Sequence, residues 1–355
     1  MHALVTANLD DDNLHRLETD LGFEVTYRPM ADREDRFSPD ELAEMLAGVD
    51  VLLVGYEGVP PEVLDATDLS IIACARGGPE ANVDIGAATE RDIPVLYAPG
   101  RNAVSVADFT LGLVVAVARN IAHSHHLLRG GVYTGAPQAD TAPGGERADV
   151  TWGVGKGSPY TELKGPELEG KRLGLVGFGA IGREVAERAH GFGLEVLAFD
   201  PYVDADEMAE VGVRKADLVE LCRECTFVSV HCPVTEETRG LIGPEEFDAM
   251  GAETFFVNTA RAAIIDQDAL VEHLQDDELR GAALDVYERE PLPEDHPLLA
   301  LDNVVTTPHL GGATEEVISR HSQMLVDDIE RLLVGDRPEH VANPETLAAA
   351  PGGER

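Results

Sequence analysis

The stretch GLVGFGAIGREVAERAHGFGLEVLAFD, Gly174 to Asp200, constrains the fold more than any other part of the chain. An apolar run of strand length leads into Gly177, Gly179 and Gly182, spaced G-x-G-x-x-G. A helix-like stretch follows, and then a second apolar run, EVLAF, which stops at Asp200, 18 residues beyond Gly182. A lone G-x-G-x-x-G is a weak signal. Strand, turn, helix, second strand and terminal acid together are the fingerprint of a βαβ unit that holds a dinucleotide. Gly177 permits the tight turn, Gly179 lets the backbone approach a pyrophosphate, and Gly182 lets helix and strand pack closely. The N–H groups at the helix start, Ala180 and Ile181 among them, then point at the phosphate charge. Asp200 can accept from the ribose hydroxyls and would repel a 2′-phosphate, and Pro201 after it supplies no cation. NAD is therefore favoured over NADP, and over a glycine-rich turn that holds nothing.

The rest of the chain alternates in the same way. HALVTANL, VLLVG, LSIIACA and IPVLYAP precede the unit as short apolar runs; FVSVHCP, TFFVNTA, GAALDVY and NVVTTPH follow it. SPDELAEMLAGVD reads as a capped helix, with Ser38 as N-cap, Pro39 at the first helical position and acids in the first turn. PPEVLDAT and DIGAATERD read as further helices. Strands alternating with helices predict an α/β protein with doubly wound parallel sheets. VSVADFTLGLVVAVARNIAHSHHLLR is expected to be one long apolar-faced helix between lobes. The Gly- and Pro-rich stretch over about 130–165 is expected to be a long linking loop. TEEVISRHSQMLVDDIERLLVG reads as an amphipathic helix, and the terminal PGGER as frayed.

Composition narrows the partners. With 66 acidic and 27 basic residues the formal net charge is −39, and the acids are spread along the chain rather than gathered in a tail. Such a surface repels nucleic acid. It suits a cytoplasm rich in salt, where ions screen the self-repulsion, so a halophilic source is expected. The negative surface does not forbid a dinucleotide, because backbone dipoles bind the phosphates locally. The N-terminus lacks a basic segment followed by an apolar one, and no stretch approaches 18 apolar residues without charge. A cytoplasmic protein with no membrane partner is expected. Four cysteines in 355 residues do not make a disulfide scaffold.

Three strand ends in the second half carry chemistry: NTARAAIID with Arg261, ALDVYEREPL with Glu290 and TPHLGG with His309. Ligands of open α/β sheets bind at the carboxyl ends of strands, so these residues are placed to converge. Hydride transfer at a 2-oxo or 2-hydroxy acid needs a cation for the carboxylate, a proton donor at the carbonyl oxygen and a group that holds the donor in its protonation state. Arg261 offers a planar fork of donors, His309 exchanges a proton near neutral pH, and Glu290 can bind the other imidazole nitrogen. Singly, each of these residues is more often a surface charge, a loop acid or a turn.

The joint pattern resembles the D-isomer-specific 2-hydroxyacid dehydrogenase family, from about Ile71 to about Asn343. It is carried by ANVDIGAATERDIPVLYAPGRNAVSVADFTLGL, ELEGKRLGLVGFGAIGREVA, VSVHCPVTEETRGLI, VNTARAAIIDQDALVEHL, GAALDVYEREPL and TPHLGGAT. The resemblance implies that Arg261 binds the substrate's carboxylate and carbonyl, that His309 is the acid/base and that Glu290 is its partner. It implies that Asp285 holds the nicotinamide carboxamide, and that Cys232, Pro233, Thr238, Thr259, Ala260 and Gly311 line the cofactor. It implies a flavodoxin-like substrate domain, 1–123 plus 312–355, and a Rossmann NAD-binding domain, 124–311, with a cleft that closes over a small 2-oxo acid. The Gly77–Gly78 turn would offer N–H groups to the carboxylate, and the protein would be a homodimer. D-3-phosphoglycerate dehydrogenase and glyoxylate/hydroxypyruvate reductase are the specific activities implied, with no C-terminal regulatory domain.

Departures from the pattern are Ala262-Ala263 where Gly-Gly is usual, Asp108 where Glu is usual, and Arg76 and Pro79 in the substrate-side turn. Arg76 reads either as a contact to a second acidic group of the substrate or as a surface cation. Cys222, Cys225, His231 and Cys232, and the histidines of HSHH, are expected to be structural, with no metal, since zinc ligands must converge. A binding protein that senses NAD, like the corepressors that share this fold, is the alternative in another class. Glu290 in place of Gln argues against a formate dehydrogenase.

Overall fold

The computed structural model describes residues 1–135 and 156–347. The middle of the expected linking loop and the PGGER tail lie outside the described residues. The chain forms two compact units, Met1–Asn102 with Ala313–Arg355, and Ala103–Gly312.

The first unit is built on five parallel strands: β1 His2–Val5, β2 Glu24–Tyr27, β3 Val51–Val54, β4 Ile71–Cys74 and β5 Val95–Tyr97, in the order β2-β1-β3-β4-β5. β3 and β4 run as unbroken apolar stretches, and β1 does so after His2, because both faces of the sheet are covered. The period of two sends Leu4, Leu52 and Ile72 to one face, against Leu42 and Leu46, and Val5, Leu53 and Ala73 to the other, against Leu325 and Ile329. Full burial of each large side chain contributes about 1.5–3 kcal/mol. The helix Pro39–Met45 begins as its residues dictate: the Ser38 hydroxyl accepts from Glu41 N–H, and the Glu41 carboxylate accepts from Ser38 N–H. The amphipathic helix Glu315–Val334 closes on Gly335, whose φ of 84° favours glycine.

The second unit carries seven parallel strands: β6 Arg172–Val176, β7 Glu195–Phe199, β8 Val213–Lys215, β9 Phe227–Val230, β10 Phe255–Asn258, β11 Gly281–Leu284 and β12 Val304–Thr306. Their order is β12-β11-β10-β9-β6-β7-β8. From β6 the chain adds β7 and β8 on one side and then crosses from β8 to β9 on the other, so a crevice opens at the carboxyl ends beside β6. One face packs under the helices Ala103–Ala118 and Ala180–Gly191, through Val114, Val117, Val185 and Ala189. Leu221, Phe247 and Leu270 cover the other face.

Three expectations are corrected. The long helix is two, Ala103–Ala118 and Ile121–Arg129, bent by 63° at a break where Asn120 takes the left-handed φ of 53°. The first of these helices belongs wholly to the second unit, because Leu111, Val114 and Val117 bury against Phe178, Val185 and Phe255. The unit boundary therefore falls after Asn102 rather than at His123. β2 and β8 were not expected as strands; both are short edges whose residues are mostly polar or half-exposed. Among the described residues no single helix is long and apolar enough to cross a membrane.

Candidate active site

The glycine turn follows β6 directly. Gly177 has a φ of 101°, and a Cβ there would fall 2.6 Å from Cys232 N. A Cβ on Gly182 would fall 2.5 Å from Gly177 O, so these two glycines are required by packing. Gly179 differs: a Cβ on it would meet nothing within 4 Å. No side chain caps the helix that starts at Ala180, and the N–H groups of Ala180 and Ile181 sit in its first turn. Open space at Gly179 before an uncapped twelve-residue helix fits a pyrophosphate.

Asp200 ends β7 beside this turn. Its carboxylate is fixed by two backbone donors, Phe178 N–H at 2.8 Å and Tyr202 N–H at 2.9 Å, and each oxygen keeps a lone pair for a ribose hydroxyl. Lys215, on the unexpected edge strand β8, reaches the same loop and donates to Val203 O at 2.6 Å. Cys232 and Pro233 follow β9. Burial pushes the Cys232 thiol up to about 11, which leaves it unreactive. The Thr238 hydroxyl accepts from Thr235 N–H and donates to Pro233 O at 2.6 Å, which holds the loop in shape. Behind the turn, burial pushes His231 down to about 3; its Nε2 meets the Ser229 hydroxyl at 2.9 Å, and no partner among the described residues meets its Nδ1. Cys222 and Cys225 lie in the core, their thiols pushed up to about 12 by burial.

β10 delivers Thr259, Ala260 and Arg261. Asn258, fully buried, shapes this corner: its Oδ1 accepts from Ala260 N–H and its Nδ2 donates to Arg261 O. The Thr259 hydroxyl is 3.0 Å from that of Thr110. The guanidinium of Arg261 donates to Ala260 O at 2.6 Å and is otherwise exposed on a hollow of about 730 Å³ with Val234, Gly240, Tyr287 and Glu288. Ala262 and Ala263 enter a short 3-10 turn and neither has a positive φ, so the usual glycines are not needed there.

β11 and β12 deliver the remaining groups. His309 Nδ1 lies 2.8 Å from Glu290 Oε2, and Glu290 Oε1 accepts from Tyr287 N–H. Desolvation raises the Glu290 carboxyl, but the hydrogen bonds from His309 and Tyr287 and the charges of His309 and Arg261 prevail and hold it below its ordinary value. Asp285, 1% exposed, accepts from the Thr307 hydroxyl, Leu310 N–H and Gly311 N–H at 2.6–2.8 Å. It clamps the loop that carries His309, whose own φ is 58°. The Tyr287 hydroxyl, between Leu284 O and Thr307 O, ties the same loop to β11. The structure thus brings Arg261, Glu290 and His309 to one end of the second sheet, with Asp285 behind them. Asn258, Tyr287 and Thr307 support the site and were not among the sequence candidates; a polar residue at a strand end was the only signal for them.

Arg76, Gly77 and Gly78 lie in the first unit, after β4. Neither glycine N–H has an acceptor among the described residues, and the Glu80 carboxylate folds over Gly78. Asp108 pairs with Arg188 inside the second unit. His123, His125 and His126 ride the unburied helix Ile121–Arg129, His123 being 3.6 Å from Asp302.

Residues 111–311 match the family model for the D-isomer specific 2-hydroxyacid dehydrogenase NAD binding domain. The chain is 39% identical to a hydroxypyruvate reductase of Thermotoga maritima over 83% of this chain and 88% of that protein. It is 37% identical to D-3-phosphoglycerate dehydrogenase of Methanocaldococcus jannaschii over 86% of its own length, but spans only 53% of that relative. The crystal structure of the TT0316 protein from Thermus thermophilus superposes with a TM-score of 0.79 at 34% identity, over 96% of this chain and 100% of that one.

Proposed function

From a chain that belongs to the D-isomer specific 2-hydroxyacid dehydrogenase family, with its NAD-binding domain, we propose an enzyme that interconverts small 2-oxo acids and D-2-hydroxy acids, with the reductase direction as the working one. The observation that carries the reading is the 2.8 Å contact between His309 Nδ1 and Glu290 Oε2, at the strand ends that also present Arg261. Glu290 occupies Nδ1, so Nε2 is the ring atom left to move a proton. In reduction His309 gives that proton to the carbonyl oxygen, and Glu290 holds the imidazolium. The Arg261 guanidinium binds the carboxylate and polarises the carbonyl. Bound NADH supplies the hydride. Gly179, Ala180 and Ile181 hold its pyrophosphate, Asp200 its adenosine ribose, and Cys232, Pro233, Thr238, Thr259, Ala260, Asp285 and Gly311 line the remainder. Glyoxylate, hydroxypyruvate and 3-phosphohydroxypyruvate are the first substrates to try, as the names of the relatives suggest. The net charge of −39 supports a salt-rich cytoplasm as the setting; a homodimer is the assembly we propose.

NADH oxidation in molar potassium chloride against a panel of 2-oxo acids, with NADPH in parallel, tests the reading. His309→Asn suits the test because Asn tolerates the left-handed backbone. It should lower kcat by about 10²–10⁴-fold with an unchanged melting temperature. Intact activity in this variant refutes the assignment, and a preference for NADPH refutes the role of Asp200.

A further inference from the structure

The second unit gathers three side chains able to ligate a metal, and the proposed reaction uses none of them. His273 lies in the last turn of the helix Gln267–Gln275, Asp248 in the last turn of the helix Pro244–Ala249, and Glu278 in the turn that leads to β11. His273 Nε2 is 3.1 Å from Asp248 Oδ1 and 3.7 Å from Glu278 Oε2, and the three donor atoms all lie within 4.8 Å of one another. The imidazole forms the base of the group, its side chain 9% exposed, while the carboxylates of Asp248 and Glu278 stand at the mouth, 74% and 61% exposed. Phe247, fully buried, packs against the ring with centroids 5.6 Å apart. Asp277 takes the left-handed φ of 58°, and Glu278 N–H then donates to His273 O at 2.9 Å, which folds Glu278 back over the histidine.

The tautomer of the buried ring is fixed. Ala269 O lies 2.7 Å from His273 Nδ1, and a carbonyl only accepts, so Nδ1 carries the hydrogen. The neutral ring therefore turns a bare Nε2 lone pair toward two carboxylates, and among the described residues no donor meets it. Neither carboxylate has a lysine or arginine within 4.0 Å among the described residues. A proton on Nε2 would reach Asp248 but leave Glu278 beyond hydrogen-bond distance at 3.7 Å, with one negative charge unbalanced. A divalent cation meets all three donors and balances both carboxylates. A hydrogen bond from Nδ1 to a backbone carbonyl is the outer contact that orients a metal-binding histidine. Donors on a four-coordinate zinc stand about 3.4 Å apart, between the two distances measured from Nε2. An imidazole with two carboxylates suits zinc, cobalt or nickel, whereas magnesium and calcium take oxygen ligands.

We propose that His273 Nε2, Asp248 and Glu278 bind a divalent transition ion of the zinc class, with water completing its shell. Asp248 precedes β10, and His273 and Glu278 precede β11, whereas Arg261 and Glu290 follow the carboxyl ends of those strands. The ion is therefore structural. It ties two helices and the entry to β11 together, takes no part in hydride transfer, and does not depend on the function proposed above.

The test titrates chelator-stripped, full-length protein with cobalt(II) and then zinc, in molar potassium chloride to screen diffuse attraction to the acidic surface. The wild type should bind one cobalt per chain with the visible bands of a nitrogen- and oxygen-ligated ion, displaced by zinc and unmoved by calcium. His273→Gln should weaken zinc binding by about 100-fold or more, and Asp248→Asn and Glu278→Gln by about tenfold each. Zinc near a hundredfold its Kd should raise the melting temperature of the wild type and leave that of His273→Gln unchanged. If the buried His273→Gln does not fold, the two exposed carboxylate variants decide. Equal zinc affinity in the wild type and the folded variants, or zinc binding no tighter than calcium, overturns the site in favour of diffuse attraction to surface acids. A thiolate-to-cobalt band in the near ultraviolet overturns it in favour of an ion held by cysteine.

Discussion

His309 holds a left-handed backbone that most side chains avoid, and Asp285 stabilises it by accepting from Thr307, Leu310 and Gly311 around it. The strand-end pattern pointed to His309 and Glu290, but nothing in it indicated that Asp285 spends three of its bonds on the histidine loop. Glu290→Gln keeps the shape and removes the charge. It should lower kcat/KM in the reductase direction by about 10–100-fold at neutral pH. A kcat/KM unchanged from the wild type would remove Glu290 from the catalytic machinery. The sign for stability is the usual carboxylate one: Glu290 is held below its ordinary value, so its contribution is present above about pH 4.3 and is lost as the pH falls through the folded-state value.

At the scale of one element, the turn between β6 and its helix separates packing from binding. A methyl on Gly182 collides with Gly177 O, whereas one on Gly179 projects into space the chain leaves open. Gly182→Ala should therefore lower the melting temperature by several degrees, about 1–3 kcal/mol for an overpacked site. Gly179→Ala should melt like the wild type and weaken NADH binding by about tenfold or more, measured by fluorescence titration. Equal effects on melting would remove the distinction. The helices were legible wherever a cap and an apolar stripe coincided, as at Ser38 and in Glu315–Val334. The break at Asn120 was not, because the apolar pattern continues across it.

For the whole molecule the dominant quantity is charge. The paired arginines Arg172, Arg214 and Arg280 answer only a small part of the acid excess, and they do so at the exposed surface, where each pair contributes little. Raising potassium chloride from 0.1 M to 2 M should raise the melting temperature by roughly 10 °C, a few kcal/mol for a chain this size. A melting temperature indifferent to salt would refute the salt-adapted reading. No such dependence is expected of the cofactor turn itself, where short-range backbone dipoles act.

The local sequence determined the strands buried on both faces, the glycine turn and the acid after it, and which residue types stand at the strand ends. Each of these depends on neighbours along the chain: an apolar run, a cap, a spacing matched to one βαβ unit. Tertiary structure alone decided the rest. The edge strands β2 and β8 exist because a neighbour offers them a ladder, not because their residues demand it. The helix Ala103–Ala118 joined the second unit because its apolar face found Phe178 and Val185 there. Arg101 meets His321 across 220 positions of sequence, and that separation is why an unremarkable arginine in a loop showed its charge environment only once the chain had folded.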